Sequence, residues 1–549
     1  MPIIQPSILQ IAATSAIGWL IWNLIKSYLT SSPLDKIPGP PPTSKLKGNI
    51  EQLFDRHGWA FHDELREKYG SVVRLSGLFG KPILFVYDPK ALHTVYVKDS
   101  YKFDVGSNLA MLLGPAIISV RGEQHKRQRK MLSPVFSAKH MRGMTPLFYQ
   151  VSRKVIEGIE TEVQDGTADV DVYAWLNRTA LELIGQGGLG YSLDPLLGGK
   201  PSPIGDAIKA IVPAMESLGW LQLFGPLVKQ MTTPSLRQRL ARWVPLKNLH
   251  EAIQVGETID SYARDIFESK KQALLAGDDV VTNQVQEAKD LMSILLKANL
   301  EAAESDRLPD DEVFGQIALL VAAATDTTSN SLTQILLVLS KHQDAQDKLR
   351  AEIAEAIRQN GGDSDLPYDV VVNLPYMDAI CRETLRLYAP VVSIYHEAYE
   401  DGVLPLDKPL QCTDGTTVTD IIVPKGTVIL AGLEACNLNK DLWGEDVHEW
   451  KPERWLSPLP QNVTDARVPG VYSNLMTFGG GGRSCIGFKF AQLEMKVVLS
   501  VLIPAFKFSP ADNDDDITWN IGMVRYPTVG RDNNVASCPM KMTRIRGGA

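Results

Sequence analysis

Residues 8–25 read ILQIAATSAIGWLIWNLI, eighteen mostly apolar positions inside a stretch of 25 residues that carries no charged side chain. At ~1.5 Å per residue such a helix is about 27 Å long, close to the ~30 Å hydrocarbon layer of a bilayer. The pattern therefore predicts one N-terminal transmembrane helix. A cleaved signal peptide is the rival reading, but the basic n-region is missing and the run outlasts a usual h-region. Trp19, Trp22 and Tyr28 crowd the exit end, where an interfacial aromatic belt would sit and a buried core helix would not need one. Lys26, Lys36, Lys45 and Lys47 follow against only Asp35, so the positive-inside rule leaves everything after residue 26 in the cytoplasm. Ile37-Pro38-Gly39-Pro40-Pro41-Pro42 is too rich in proline for helix and stiff through its polyproline preference. The expected organisation is an anchor over residues 1–30, a proline-rich hinge over 31–49 and one body over 50–549.

The body opens with helical periodicity and then, over residues 72–88, changes to VVRLSGLFGKPILFVYD, two period-2 runs around a glycine-containing turn that predict a hairpin. Helical spacing dominates to about residue 355, broken by polar or Pro/Gly-rich loops at 192–205 and 276–288, with QNGGDSDLP following at 359–367. Short strand-like runs return at 403–432 and 517–530. The fold expected is mainly α with a minor β portion contributed by both ends. No repeat and no flexible linker divides it, so one large domain is expected despite the length.

Composition narrows the function classes. A chain of 549 residues, 44% hydrophobic, can bury a large core, and 56 basic against 64 acidic residues give a net charge of −8, the wrong sign for wrapping nucleic acid. Five cysteines without a CxxC or Cys/His pattern argue against a disulfide framework or structural zinc. No glycine-rich dinucleotide fingerprint is present, so the chain is not expected to bind NADPH or flavin itself.

The candidate chemistry begins at Phe478-Gly479-Gly480-Gly481-Gly482-Arg483-Ser484-Cys485-Ile486-Gly487, followed directly by the helical segment FKFAQLEMKVVLSVLI. Consecutive glycines let backbone approach a flat ligand closely. Cys485 stands near a helix N-terminus with Arg483 two residues away, two features that favour thiolate. A glycine turn ending in a buried structural cysteine is the bland alternative. The segment, however, matches FxxGxRxCxG at every fixed position, for which average residue usage gives on the order of 10⁻⁴ chance matches in a chain this long. It resembles the haem-ligand loop of the cytochrome P-450 superfamily. The resemblance implies a cytochrome P-450 fold in which Cys485 is the proximal thiolate ligand of a b-type haem, Arg483 stands near a propionate and Phe478 shields the ligand loop. Thiolate ligation pushes electron density onto iron and favours O–O cleavage.

Further segments follow the family's order from about residue 38 to 540. Asn373–Leu387 reads NLPYMDAICRETLRL, with Glu383 and Arg386 three apart on one helical face. It resembles the ExxR helix, and Pro452-Glu453-Arg454-Trp455 resembles the later segment whose arginine completes a buried Glu-Arg-Arg network. Glu383, Arg386 and Arg454 are then structural. Phe314–Leu339 is too apolar for a surface helix yet carries Ala323-Ala324-Thr325-Asp326-Thr327-Thr328. Its hydroxyls either bond back to carbonyls four residues earlier or act. The segment resembles the family's oxygen-binding helix, with Ala324 in place of the usual glycine, which implies that Thr327 delivers protons to dioxygen and Asp326 connects it to bulk water. Gly122–Arg129 resembles the WxxxR helix, with His125 where tryptophan is usual and Arg129 in the propionate-binding place. His396 stands where an arginine or histidine commonly meets the other propionate.

By the same resemblance the protein is a haem-dependent monooxygenase whose electrons come from a membrane-bound NADPH-cytochrome P-450 reductase, with cytochrome b5 as a further donor, in the endoplasmic reticulum membrane. The basic cluster Lys126, Arg127, Arg129 and Lys130 is a candidate docking surface for the reductase, or an ordinary solvated helix. Phe103, Leu109, Met111, Leu112, Leu113, Ile117 and Ile118, the run 215–227 with Trp220 and Phe224, and Val391, Val392 and Ile394 supply apolar candidates for a substrate pocket or simply for the core. A greasy pocket without a cationic anchor suits a terpenoid, steroid-like or aromatic lipophile, and the histidine-bearing helix resembles fungal secondary-metabolism members. A peroxide-using or hydroperoxide-rearranging haem-thiolate enzyme is the alternative, against which Asp326-Thr327 argues. A haem carrier or gas sensor is the non-enzymatic one. Asn177-Arg178-Thr179 and Asn462-Val463-Thr464 are glycosylation sequons, expected to stay unmodified if the body is cytosolic.

Overall fold

The computed structural model describes residues 32–105, 114–164, 166–198, 240–276, 290–512 and 514–545, with isolated positions at 18, 205, 207 and 210. Apart from Gly18, the predicted membrane helix over 8–25 lies outside the described residues. Among the described residues no helix is long and apolar enough to cross a membrane.

Helix dominates. The principal helices are α1 (Trp59–Lys68), α2 (Gly122–Leu132), α3 (Ala138–Val163), α4 (Val172–Leu183), α5 (Lys247–Ala276), α6 (Leu291–Glu301), α7 (Asp310–Lys341), α8 (Gln343–Gln359), α9 (Pro375–Leu387) and α10 (Phe488–Ala505). The strands are β1 (Val72–Ser76), β2 (Pro82–Val86), β3 (Phe103–Val105), β4 (Thr167–Asp171), β5 (Ser393–Ala398), β6 (Gly402–Gln411), β7 (Thr417–Val423) and β8 (Val428–Gly432). They continue with β9 (Gly470–Tyr472), β10 (Leu475–Gly480), β11 (Phe506–Pro510), β12 (Ile517–Asn520), β13 (Tyr526–Val529) and β14 (Pro539–Arg544).

The helices end where their sequences say they should. Asp310, Asp311 and Glu312 open α7 and Lys341 closes it, both signs complementing the helix dipole. Pro375 takes the first turn of α9, where its missing N–H costs nothing. Between its ends α7 is buried almost throughout, so α3, α4, α5, α8 and α10 gather round it or one another.

The predicted hairpin forms, with Val72 opposite Val86 and Ser76 opposite Pro82. Its sheet is completed from far along the chain, in the order β1-β2-β8-β5-β3, with β8 parallel to β2 and β5 and β3 antiparallel to their neighbours. The strand-like runs at 403–432 and 517–530 become β6 to β8 and β12 to β13. A third sheet joins β4 to the C-terminal β14 and β11.

The proline-rich segment lies against the body. Leu34 and Ile37 are buried, Arg74 N–H donates to the Pro38 carbonyl over 2.9 Å, and Asn49 Nδ2 donates to the Pro41 carbonyl over 3.0 Å. Residues from 34 onward thus lie against the folded unit, where apolar side chains and backbone groups find partners on β1 and its surroundings.

Candidate active site

Strand β10 delivers the cysteine loop. It pairs with β9, runs into a single 3₁₀ turn at Gly481–Arg483, and the chain then enters α10. Cys485 N–H donates to the Phe478 carbonyl over 2.8 Å, closing the loop on itself. Glycine is required at its tightest points: a Cβ on Gly481 would stand 2.0 Å from the Tyr96 carbonyl oxygen, and one on Gly480 2.4 Å from that of Pro469. Phe478 is half-buried, edge-on to Tyr472 at 5.4 Å. Cys381, Cys412, Cys436 and Cys538 are buried, whereas Cys485 stands exposed.

The electrostatics of this thiol differ from the sequence expectation. Desolvation by the surrounding protein raises its pKa, against which the Gly487 N–H and the Arg129 guanidinium act. Arg129 thus takes the part expected of Arg483. Its guanidinium donates to the carbonyl and hydroxyl oxygens of Ser484, the residue before the cysteine. Ligation by a metal deprotonates a thiol outright, so the raised value does not oppose a ligand role.

Arg483 is committed to its own neighbours. It pairs with the buried Asp104 carboxylate at 2.6 Å and donates to the carbonyls of Ile117 and Val120 at 3.1 and 2.9 Å. The sequence reading did not single out Asp104. It lies on β3, opposite Glu397 of β5, and only tertiary pairing brings it to the loop.

Both candidate histidines are buried and neutral. Burial, then the Arg483 charge, lowers His125 to a pKa of about 4, and its Nδ1 has no partner. Burial lowers His396 to about 4 as well, opposed by a hydrogen bond from Nδ1 to the Phe103 carbonyl at 3.0 Å. Since a carbonyl only accepts, Nδ1 of His396 carries the proton and Nε2 is left with a lone pair. Nε2 of His396 is buried without a partner, and a carboxylate beside it would draw a second proton onto the ring and accept from it. Tyr96, whose hydroxyl is likewise buried without a partner, packs edge-on against the ring at 4.9 Å.

The charge and the donors in this region suit an anionic macrocycle. Arg129 and Arg483 against the single carboxylate of Asp104 leave a net positive cluster beside an open thiol, and the orphaned Nδ1 of His125 lies among the same charges. The residues present therefore fit a haem bearing carboxylate side chains: Cys485 for its iron, Arg129 and His125 for its propionates.

Between the ends of α7 Ala323 stands exposed, one residue before the alanine that replaces the family's glycine, and Thr327 one turn on is half-exposed. The hydroxyls back-bond as the bland reading requires: Thr325 to the Val321 carbonyl at 2.8 Å and Thr327 to that of Ala323 at 2.7 Å. Asp326 accepts from Asn177 Nδ2 of α4 at 3.2 Å. Asn177 was read as a sequon, yet its side chain is buried against α7 and closed to any glycosyl transfer in the folded protein; Asn462 is exposed.

The ExxR pair forms as expected and is fully buried. Arg386 reaches both oxygens of Glu383 at 2.9 Å. Arg454 approaches Glu383 at 3.4 Å and pairs with Asp446 at 3.1 Å, while Trp455 Nε1 and Lys451 N–H also donate to Glu383. Asn437, invisible in the sequence, links this network to the cysteine strand: its carbonyl accepts from Arg386 and its amide holds Met476 N–H and the Thr477 hydroxyl.

The basic face of α2 is less free than its sequence suggests. Arg127 pairs with the buried Glu312 at 2.7 Å, Lys130 with Asp306 at 2.8 Å and Lys126 with Glu123 at 2.6 Å. Among the apolar candidates, Phe103 is core beneath Gly402, Val392 and Ile117 are buried, and Ile118, Val391 and Ile394 are open or partly so. Leu109, Met111, Leu112, Leu113 and the run 215–227 lie outside the described residues.

The family model for cytochrome P-450 matches residues 38–528. Cytochrome P-450 monooxygenase 91 of Postia placenta is 48% identical over 543 residues, 98% of this chain and 99% of its own. Monooxygenase 81 of the same fungus is 46% identical, covering 97% of each chain. A ganoderic acid synthetase of Ganoderma lucidum is 42% identical over 98% of this chain and 99% of its own.

Proposed function

The chain belongs to the cytochrome P-450 family, and from that premise we propose that it is a membrane-anchored haem-thiolate monooxygenase inserting one atom of O₂ into an apolar secondary metabolite, with electrons from an NADPH-dependent reductase. The net reaction is RH + O₂ + NADPH + H⁺ → ROH + H₂O + NADP⁺. The observation that carries this reading is the single open thiol, Cys485, set in a glycine cradle beside the Arg129 guanidinium. Haem supplies the activation of dioxygen when bound. The chain's own groups have the other tasks. Cys485 would ligate the iron, Arg129 and His125 would hold the anionic edge, and Thr327 with Asp326 would hold and pass a proton on α7. The missing dinucleotide fingerprint supports an external reductase, with cytochrome b5 as a further candidate donor. The uncharged run at 8–25 with its basic flank supports anchorage in the endoplasmic reticulum, body toward the cytoplasm. A relative named for the synthesis of ganoderic acid supports a lipophilic secondary metabolite, for which a terpenoid is the candidate class.

The test is co-expression with an NADPH-dependent reductase and a screen of extracted metabolites, followed by product formed per NADPH consumed for wild type and Thr327→Ala. A positioned proton donor is typically worth ~10²- to 10⁴-fold, less where water substitutes, so Thr327→Ala should lower that ratio while NADPH consumption continues. Turnover with peroxide alone and none with reductase would overturn the reading. An unchanged ratio in Thr327→Ala would return its hydroxyl to the Ala323 carbonyl and nothing more.

A further inference from the structure

Asn177 has no task in the reaction as read above, yet it is a buried amide whose strongest claim is on Asp326. Helix α4 packs along α7, and the residues buried with Asn177 on it include Trp175, Leu176, Thr179 and Ala180. A primary amide buried there is unfavourable unless its donors are used. Asn177 Nδ2 donates to Asp326 Oδ1 at 3.2 Å and lies 3.5 Å from the Ser329 hydroxyl. A second set of contacts fixes the backbone at the same residue: the Asp326 carbonyl accepts from Asn330 Nδ2 at 2.8 Å and from the Ser329 hydroxyl at 3.3 Å. Asp326 is thus gripped twice, at its carbonyl by its own helix and at its carboxylate by the neighbouring one.

We propose that Asn177 is the positioning residue for Asp326, holding one carboxylate oxygen so that the side chain presents its proton at a fixed place on the oxygen helix. The inference rests on the reading of Asp326 as part of the proton path. An amide suits this better than a lysine or a histidine, because it donates at every pH and adds no charge that would hold the carboxylate ionised. One oxygen of Asp326 accepts the amide N–H in either protonation state, more strongly when ionised, and leaves the other oxygen to take and give the proton. Tyr173, one turn earlier on α4, also feels the Asp326 charge, together with Asp171 and Tyr526, and burial raises its pKa beyond the range in which it would exchange protons near neutrality. The hydroxyl of Tyr173 therefore stays protonated near neutrality.

The experiment uses the full-length haem-loaded protein and the variants Asn177→Leu and Asn177→Ser, neither of which can make the amide hydrogen bond; the smaller serine serves if leucine does not fold. The Asp326 carboxyl is followed by infrared titration, its band identified as the one lost in Asp326→Asn. Removing a hydrogen bond to the ionised form should raise its titration midpoint by about one pH unit. Product per NADPH should fall on the order of tenfold, less than the ~10²-fold or more of losing the proton donor itself. The Soret band of the reduced carbon monoxide complex should be unchanged. Lower stability with an unmoved midpoint and an unchanged ratio would make Asn177 a stitch between two helices and overturn the proposal. Asp326→Asn separates the two ideas. If it leaves product per NADPH intact, the relay reading fails and takes the proposal with it; if it uncouples the enzyme while the Asn177 variants do not, the proposal alone fails.

Discussion

Cys485 and the four buried thiols illustrate how position selects among identical side chains. Burial raises Cys381 to about 12 and Cys436 and Cys538 higher still, so these thiols stay protonated and sealed from any ligand. Cys485→Ala should abolish the band near ~450 nm of the reduced carbon monoxide complex, the thiolate-dependent mark, while alanine at each of the other four keeps it. Retention of that band in Cys485→Ala would refute the ligand assignment. The histidines make a second prediction at this scale. His125 and His396 titrate at about 4 in the fold against an ordinary 6.5, so the unfolded chain takes up protons first on acidification. Their contribution to stability is complete above about 6.5 and is lost progressively as pH falls toward 4. Urea midpoints at intervals through this window should fall less steeply in the double variant His125→Gln/His396→Gln than in wild type. Equal slopes would show that neither histidine governs the acid limb.

At the scale of elements, α9 is the clearest case of a motif whose purpose is packing. Its two charges were legible at three-residue spacing, and a surface pair at that spacing would be worth only ~0.2 to 0.5 kcal/mol. Here both are fully buried, and Glu383 also receives Trp455 and the Lys451 N–H, so removal of one partner strands the other. Arg386→Leu should therefore cost ~3 to 5 kcal/mol, read from urea denaturation, and should loosen the Asn437 link to the cysteine strand, seen as slower haem uptake. A loss below about 1 kcal/mol would mean that water replaces the arginine and that the network is ornamental. The hairpin β1–β2 was equally legible because its pattern is local. Its parallel partner β8 lies more than 300 residues away in sequence, and no local period encodes that pairing.

For the whole molecule, the boundary between the proposed anchor and the folded body sets what truncation is expected to do. Deleting residues 1–30 removes the uncharged run but spares Leu34, Ile37 and the Pro38 carbonyl that Arg74 occupies. Much of the protein should then leave the membrane fraction with its haem intact, some remaining through any apolar entry surface. Deletion through residue 42 should instead lower the melting temperature, since it uncovers β1. Equal membrane retention of the 1–30 deletion and the full chain would sink the anchor, and glycosylation of Asn462 in the intact protein would overturn the cytoplasmic topology.

The sequence by itself determined the class of the fold, the cysteine loop, the ExxR pair and the hydroxyl-bearing buried helix, because each is written in residues close together along the chain: a glycine run, a spacing of three, hydroxyls inside an apolar helix. Tertiary structure alone decided which charge faces which group. Arg129 rather than Arg483 bears on the thiol, Asp104 claims Arg483, the proton of His396 belongs to the Phe103 carbonyl, and a sequon asparagine holds the Asp326 carboxylate. Electrostatic and hydrogen-bonding partners are fixed by distances of 3 Å between residues up to several hundred positions apart, and buried groups accept only the partner that reaches them. No one-dimensional pattern carries that information until the core has closed around it.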